Sequence, residues 1–285
     1  MINPLFISDQ LLFSTVRIEA TRADDMKDIG TGFFFNFALG DKFVPTIVTN
    51  RHVILDDTVS WTVYLHEAVT IDGTASPSNQ SFPITMKHVA TNWFHHPHGL
   101  DLCALPIQPL LIEVSKQLGK KVFYRSLSED FIPSDQALRE LGAIEDIVMV
   151  GYPIGLWDQF NNMPLIRHGI TASHPALDFG GKAEGLIDAA CFPGSSGSPI
   201  LIFNAGTYSP RPGAIVMSPR ALLIGVLYGG PHFTAEGNIV VRDIPMRAAR
   251  VAQTEIPANL GFYIKVREIL VLGDELKKHI PAAQI

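Results

Sequence analysis

Short apolar runs broken by glycine, proline and polar turns dominate the chain, and few of them have helical spacing. Ser14-Thr15-Val16-Arg17-Ile18-Glu19-Ala20 alternates apolar and polar positions, as a half-buried strand does. Gly30-Thr31-Gly32-Phe33-Phe34-Phe35 begins a second strand, and after a turn at Gly40-Asp41 the run Phe43-Val44-Pro45-Thr46-Ile47-Val48-Thr49 returns. Trp61-Thr62-Val63-Tyr64-Leu65 reads as a further strand by its aromatic and β-branched content. Asp72 to Ser81, rich in glycine, serine, proline and asparagine, predicts a polar loop. In Gly99-Leu100-Asp101-Leu102-Cys103-Ala104-Leu105 an aspartate stands at the start of a buried strand, which is costly unless it finds a partner.

The β pattern lapses over 109–142, where Pro109 to Gly119 and Asp135 to Leu141 predict helical pieces around a loop. It resumes with Asp146-Ile147-Val148-Met149-Val150-Gly151, then Arg167 to Ala172, Gly185 to Ala190, Ile200 to Phe203, Leu222 to Tyr228 and Gly261 to Ile264. Arg267 to His279 predicts an amphipathic C-terminal helix with Ile269, Leu270, Leu272 and Leu276 on its apolar side, weakened by Gly273. Pro231 to Asn259 reads as a long connection holding Arg242, Arg247 and Arg250. The expected organisation is an all-β chain in two halves, 1–108 and 143–285, joined by the partly helical connection 109–142.

The richest chemistry lies in Asp188-Ala189-Ala190-Cys191-Phe192-Pro193-Gly194-Ser195-Ser196-Gly197-Ser198-Pro199. Pro193-Gly194 forces a tight turn with two serines at its apex, and the glycines leave backbone N–H groups unshielded. Such a turn presents a hydroxyl outward and aims the N–H groups of Gly194 and Ser196 into one small hole suited to an oxyanion. A plain Gly/Ser-rich β-turn has the same local composition.

Other stretches decide between these readings. Gly194-Ser195-Ser196-Gly197-Ser198-Pro199 resembles the nucleophile loop of the trypsin-like (chymotrypsin-fold) serine proteases, and Asp188-Ala189-Ala190 with Pro193-Gly194 resembles their bacterial Deg-type branch. Gly30-Thr31-Gly32-Phe33, Thr49-Asn50-Arg51-His52-Val53, Asp101-Leu102-Cys103-Ala104-Leu105 and Val148 to Gly155 are similar to further motifs of that family. The resemblance covers most of 14–275 and is weakest in 109–142 and 204–220. It implies two antiparallel six-stranded β-barrels followed by a C-terminal helix.

It also implies a serine endopeptidase (a hydrolase) working through an acyl-enzyme, with limited proteolysis of intracellular protein partners as the expected task. His52 then stands as general base, Asp101 as its partner and Ser196 as nucleophile, in the family's order and 49 and 95 residues apart. Gly194 and Ser196 line the oxyanion hole, Ala190 is the floor of the specificity pocket, and Leu227, Tyr228, Gly229 and Gly230 are its walls. An uncharged floor and glycine walls suit an apolar substrate side chain, unless His232 enters the pocket. Digestive relatives carry aspartate where Ser195 stands, so their activating salt bridge is not expected; activity is constitutive or set by a regulatory protein partner. The alternative is a non-catalytic binding module on a protease fold.

Composition trims the remaining options. In 285 residues a net charge of −6 offers no basic surface for nucleic acid, and no apolar run reaches a membrane span. Cys103 and Cys191 are expected to be free thiols in a reducing compartment, and the first residues lack a cationic leader, so the bacterial cytoplasm is the expected location. His66-Glu67 is followed by Thr70 rather than the histidine of a zinc-protease motif, and Gly30-Thr31-Gly32 lacks the third glycine of a dinucleotide site. His95-His96-Pro97-His98 has no cysteine or carboxylate at ligand spacing and reads as a solvated loop. No metal and no cofactor are expected.

Overall fold

The computed structural model describes residues 6–54, 57–87, 92–210, 213–238, 251–257 and 259–279, with backbone alone for 232–238 and 251–257. Helix α1 (Ile7–Leu11) leads into strands β1 (Thr15–Arg22), β2 (Lys27–Leu39), β3 (Lys42–Thr49), β4 (Thr58–Ile71) and β5 (Thr74–Lys87). Two short strands, β6 (Phe94–His95) and β7 (Cys103–Pro106), precede helix α2 (Gln108–Leu118) and the strands β8 (Val122–Phe123) and β9 (Leu127–Ser128). These nine strands form one sheet in the order β5-β4-β1-β2-β3-β7-β6, with β8 joined to β4 and β9 to β2.

After helix α3 (Asp135–Glu140) come β10 (Asp146–Gly151), β11 (Leu165–Thr171), β12 (Glu184–Asp188), β13 (Pro199–Asn204), β14 (Thr207–Tyr208), β15 (Val216–Met217), β16 (Arg220–Gly229), β17 (His232–Asn238), β18 (Val251–Pro257) and β19 (Leu260–Lys265). Six of them close a barrel in the order β10-β11-β12-β19-β16-β13, with all its ladders antiparallel. The chain leaves through helix α4 (Arg267–His279).

Alternation along β2 shows how the halves are joined. Phe34 faces the first core, among Val16, Ile18, Ile47, Trp61 and Val63. Phe33, Phe35 and Phe37 face the other way, into a cluster that also holds Val148, Leu201 and Val226 of the barrel and Ile269, Leu272 and Leu276 of α4. Burying each such side chain is worth about 1.5–3 kcal/mol, so this shared cluster holds the two halves firmly together. A third cluster, with Ile147, Ile187, Ile200 and Tyr263, fills the barrel itself.

Three expectations need correction. The first half has nine strands rather than six, in a sheet whose closure into a barrel is not shown among the described residues, and its β2–β9 pairing is parallel rather than antiparallel. The connection supplies β8 and β9, because Phe123 and Leu127 are buried against the sheet. Asp72 to Ser81 is not a loop but the turn and first part of the edge strand β5, whose ladder to β4 runs from Ile71↔Thr74 to Ser60↔Lys87. An edge strand tolerates polar residues and proline because only one side of its backbone must pair. Within Pro231 to Asn259, β17 and β18 pair from His232↔Pro257 to Asn238↔Val251, while Arg242, Arg247 and Arg250 lie outside the described residues.

Candidate active site

A single threonine of the first half ties down the serine loop of the second. Thr31 on β2 is fully buried; its N–H donates to the Ser196 carbonyl at 2.9 Å and its Oγ1 to the Gly194 carbonyl at 3.0 Å. The Thr31 carbonyl in turn accepts from Thr49 Oγ1 at 2.7 Å, and Thr31 Oγ1 accepts from the Tyr152 N–H at 3.1 Å. On the barrel side, the Gly197 N–H donates to the Leu227 carbonyl and the Ile154 N–H to the Pro193 carbonyl. Gly194 and Gly197 both need the left-handed region, at φ +86° and +87°. A Cβ on Gly197 would also collide with the Thr31 carbonyl.

These bonds leave a pattern in the loop. The N–H groups of Ser195, Gly197 and Ser198 donate to Phe192, Leu227 and Ser195 carbonyls. Those of Gly194 and Ser196 donate to no protein acceptor among the described residues, and both belong to one tight turn.

The two serines are not equivalent. Ser195 is fully buried and its Oγ accepts from Arg167 Nη2 at 2.8 Å, whereas Ser196 is half-buried and lines two cavities. The hydroxyl offered to a ligand is that of Ser196.

His52 sits in the 3-10 turn Arg51–Val53 that follows β3. Asp101 grips it twice: Oδ1 accepts the His52 backbone N–H at 2.9 Å, and Oδ2 lies 2.5 Å from Nδ1. Asn50 Nδ2 donates to the Asp101 carbonyl at 2.8 Å and fixes the aspartate's own backbone. With a carboxylate at Nδ1 the proton belongs on that nitrogen, which leaves the Nε2 lone pair free to accept one. His52 and Ser196 line the same cleft, a space of about 450 Å³ bounded also by Ile29, Ile154 and Gly194.

Beside it lies a smaller cavity of about 210 Å³, walled by Ser196, Cys191, Phe192, Leu227, Tyr228 and Leu260 with Gly229 and Gly230. Four of the five expected pocket residues are there; Ala190 is not among them, and its carbonyl is bonded by Arg167 Nη1 instead. Burial raises the Cys191 thiol to about 11, so it is a neutral, apolar wall near pH 7. Cys103 and Cys191 are both buried and unpaired.

Sequence reasoning missed Arg167 and the cross-half role of Thr31. Arg167 shares the inward phase of Leu165 on β11, while Ile166 and His168 point out, which is the one signal that marked it. Burial depresses its pKa, and among the described residues no carboxylate pairs with it. Its guanidinium braces Ala190 and Ser195 from behind.

A β-barrel abutting a second sheet, with an Asp–His pair and a glycine-flanked serine where they meet, defines a trypsin-like peptidase. The family model described as "Trypsin-like peptidase domain" matches residues 30–207, and the chain belongs to that family, a class of serine endopeptidase hydrolases. Among solved structures it is similar to an HtrA-type protease, AlgW with a tripeptide, at 13% identity and TM-score 0.47, over 95% of this chain and 62% of that one. It is also similar to the Rv3671c protease from M. tuberculosis in its active form (15% identity, TM-score 0.43, 98% of this chain and 87% of that one). A third is the protease Anisep from Arthrobacter nicotinovorans (11% identity, TM-score 0.45, 93% and 95%). The chain thus spans less than two thirds of the AlgW structure. No curated protein sequence matches it.

Proposed function

We propose that this chain is a serine endopeptidase in which His52, Asp101 and Ser196 form the catalytic triad. The observation that carries the proposal is the Asp101–His52 pair, 2.5 Å apart, with His52 lining the same cleft as Ser196, the half-buried serine of a loop in which Ser195 is held by Arg167 and Ser198 is fully buried. A serine hydroxyl is a poor nucleophile at neutral pH and needs a base. His52 Nε2 takes the Ser196 proton as Oγ attacks the peptide carbonyl, and Asp101 stabilises the resulting imidazolium. The tetrahedral oxyanion accepts from the unpaired N–H groups of Gly194 and Ser196; one such donor is worth about 3–4 kcal/mol in a related hydrolase. The C–N bond then breaks, the His52 proton leaves with the amine, and water releases the acyl group by the same path in reverse.

The smaller cavity beside Ser196 is the pocket for the side chain before the cut bond. Its walls are apolar, so the substrate is a peptide or protein segment cleaved after an apolar residue. On the same reading the nine-stranded sheet is the first of the family's two barrels, 1–108 and 143–285 are its two domains, and the branch is the Deg type. Ser195, locked by Arg167, replaces the aspartate of the zymogen-activated relatives. Control therefore falls to a protein partner or to substrate supply. Two unpaired buried thiols support a reducing location, the bacterial cytoplasm.

Labelling with a fluorophosphonate probe, with a peptide library read by mass spectrometry, tests the proposal. Wild type should label and cleave, and Ser196→Ala should do neither while keeping its circular dichroism. Absence of labelling in folded wild type would favour a non-catalytic binding module, and undiminished turnover by Ser196→Ala would sink the assignment of the nucleophile.

A further inference from the structure

We propose that His96, His98 and Glu268 form a binding site for a divalent transition-metal ion, zinc by its ligand set, which clamps the segment leading to Asp101 onto helix α4. Taken as sequence, the histidine run lacked a carboxylate at ligand spacing. The fold supplies one from the opposite end of the chain: Glu268, in the first turn of α4, lies against the loop after β6. The three residues each offer a ligand atom, and those atoms lie within 4.8 Å of one another.

The pocket is built rather than incidental. The His96 side chain is fully buried, and its Nε2 stands 3.2 Å from Glu268 Oε2, an ion-pair contact that lacks the angles of a hydrogen bond. Buried polar atoms are nearly always well satisfied, so a buried imidazole facing a carboxylate without hydrogen-bond alignment is a place where an ion between the two would satisfy both. Arg267 Nε contacts the other carboxylate oxygen, Oε1, at 3.2 Å and is itself held by Asp178, which orients Glu268 with Oε2 towards the histidines. The loop is closed on itself, His96 N–H to the Leu102 carbonyl and Gly99 N–H to the His96 carbonyl, both at 3.0 Å. His98 is exposed and gives the ion its way in.

Two ligands each about 2.1 Å from one ion stand at most about 4.2 Å apart. Closing the present spacing to that value takes a small rotation of His98, the one exposed ligand. Metal binding at His96 Nε2 moves its proton to Nδ1, so the 3.3 Å contact from the His98 N–H to Nδ1 is exchanged for the metal bond. Imidazole and carboxylate donors suit zinc, cobalt and nickel, and three protein ligands leave a fourth position for water. His98 stands three residues before Asp101, so the ion would set how firmly that aspartate's loop is held to the C-terminal helix.

The test uses the full chain, stripped with chelator and dialysed, titrated with zinc by calorimetry and with cobalt by visible absorption. One equivalent should bind, with a higher melting temperature and slower amide exchange in residues 94–102 and in α4. His98→Ala and Glu268→Gln should each weaken binding at least about tenfold and remove the thermal shift. His98 is exposed and its variant is expected to fold as wild type does, which keeps the comparison valid if Glu268→Gln is destabilised. No binding at millimolar zinc overturns the proposal. So does equal affinity in wild type and both variants, which would mark adventitious binding by other surface histidines.

Discussion

Replacing Asp101 by asparagine removes one charge and almost nothing else, and so isolates what the carboxylate does. The asparagine Oδ1 can still accept the His52 backbone N–H, now bonded at 2.9 Å, and Asn50 can still donate to the residue 101 carbonyl. What changes is the 2.5 Å contact at Nδ1, where an acceptor-only oxygen becomes an N–H donor. The imidazole must then offer its lone pair at Nδ1 and carry its proton on Nε2, the atom that should receive the Ser196 proton. The same change in a protease of this chemistry lowers kcat by about 10⁴-fold. At 1.36 kcal/mol per factor of ten that is about 5 kcal/mol of transition-state stabilisation. We expect kcat on a fluorogenic peptide to fall by that order with KM little changed, and the urea midpoint to stay near wild type. Turnover within tenfold of wild type would refute the triad geometry. A loss matched by an equal loss of folded protein would show that Asp101 serves the loop rather than the histidine.

Three further outcomes follow from the packing. Gly197→Ala forces a side chain into a left-handed backbone position facing the Thr31 carbonyl, so it should cost at least about 1–3 kcal/mol in urea unfolding and abolish probe labelling, while Gly206→Ala, with open space around it, should be neutral. His66 is buried with its pKa lowered to about 4, so the unfolded chain binds the extra proton as pH falls below 6.5: stability is full above that value and declines by about 2 kcal/mol by pH 5 and about 3 by pH 4. In His66→Gln that part of the decline should vanish from the pH series of urea midpoints, and an unchanged slope would contradict the assignment. Apolar walls around the smaller cavity should favour Leu, Phe, Tyr or Met over Lys, Arg or Glu before the cut bond by about 1.5–3 kcal/mol, some tenfold to 150-fold in kcat/KM. Ala190→Asp should leave that order intact, because Arg167 already bonds the residue 190 carbonyl and would neutralise the new carboxylate.

The sequence by itself determined the β character of the chain, the motifs around His52, Asp101 and Ser196, and the C-terminal helix, whose range matches Arg267–His279. These are local: period-two alternation, turn chemistry and apolar spacing are each written within about a dozen residues. What it did not determine depends on partners far away along the chain. Polar Thr74 to Ser81 becomes strand because β4 satisfies its backbone, and no local preference announces that pairing. Ala190 leaves the pocket lining while Arg167, 23 residues earlier, reaches in behind it. Thr31 reads as a small strand residue until the fold brings the serine loop onto it, 163 residues on. The loop motif already separates Ser196 from Ser195, but only the fold shows the physical difference: Arg167, buried behind Ser195, holds that hydroxyl while Ser196 lines the cleft. The histidine loop acquires its carboxylate in the same way, because α4 packs back over the first half, where Phe37 and Leu272 share one core. Alternation names which side chains turn inward, but what each one meets there is settled by how the two halves close on each other.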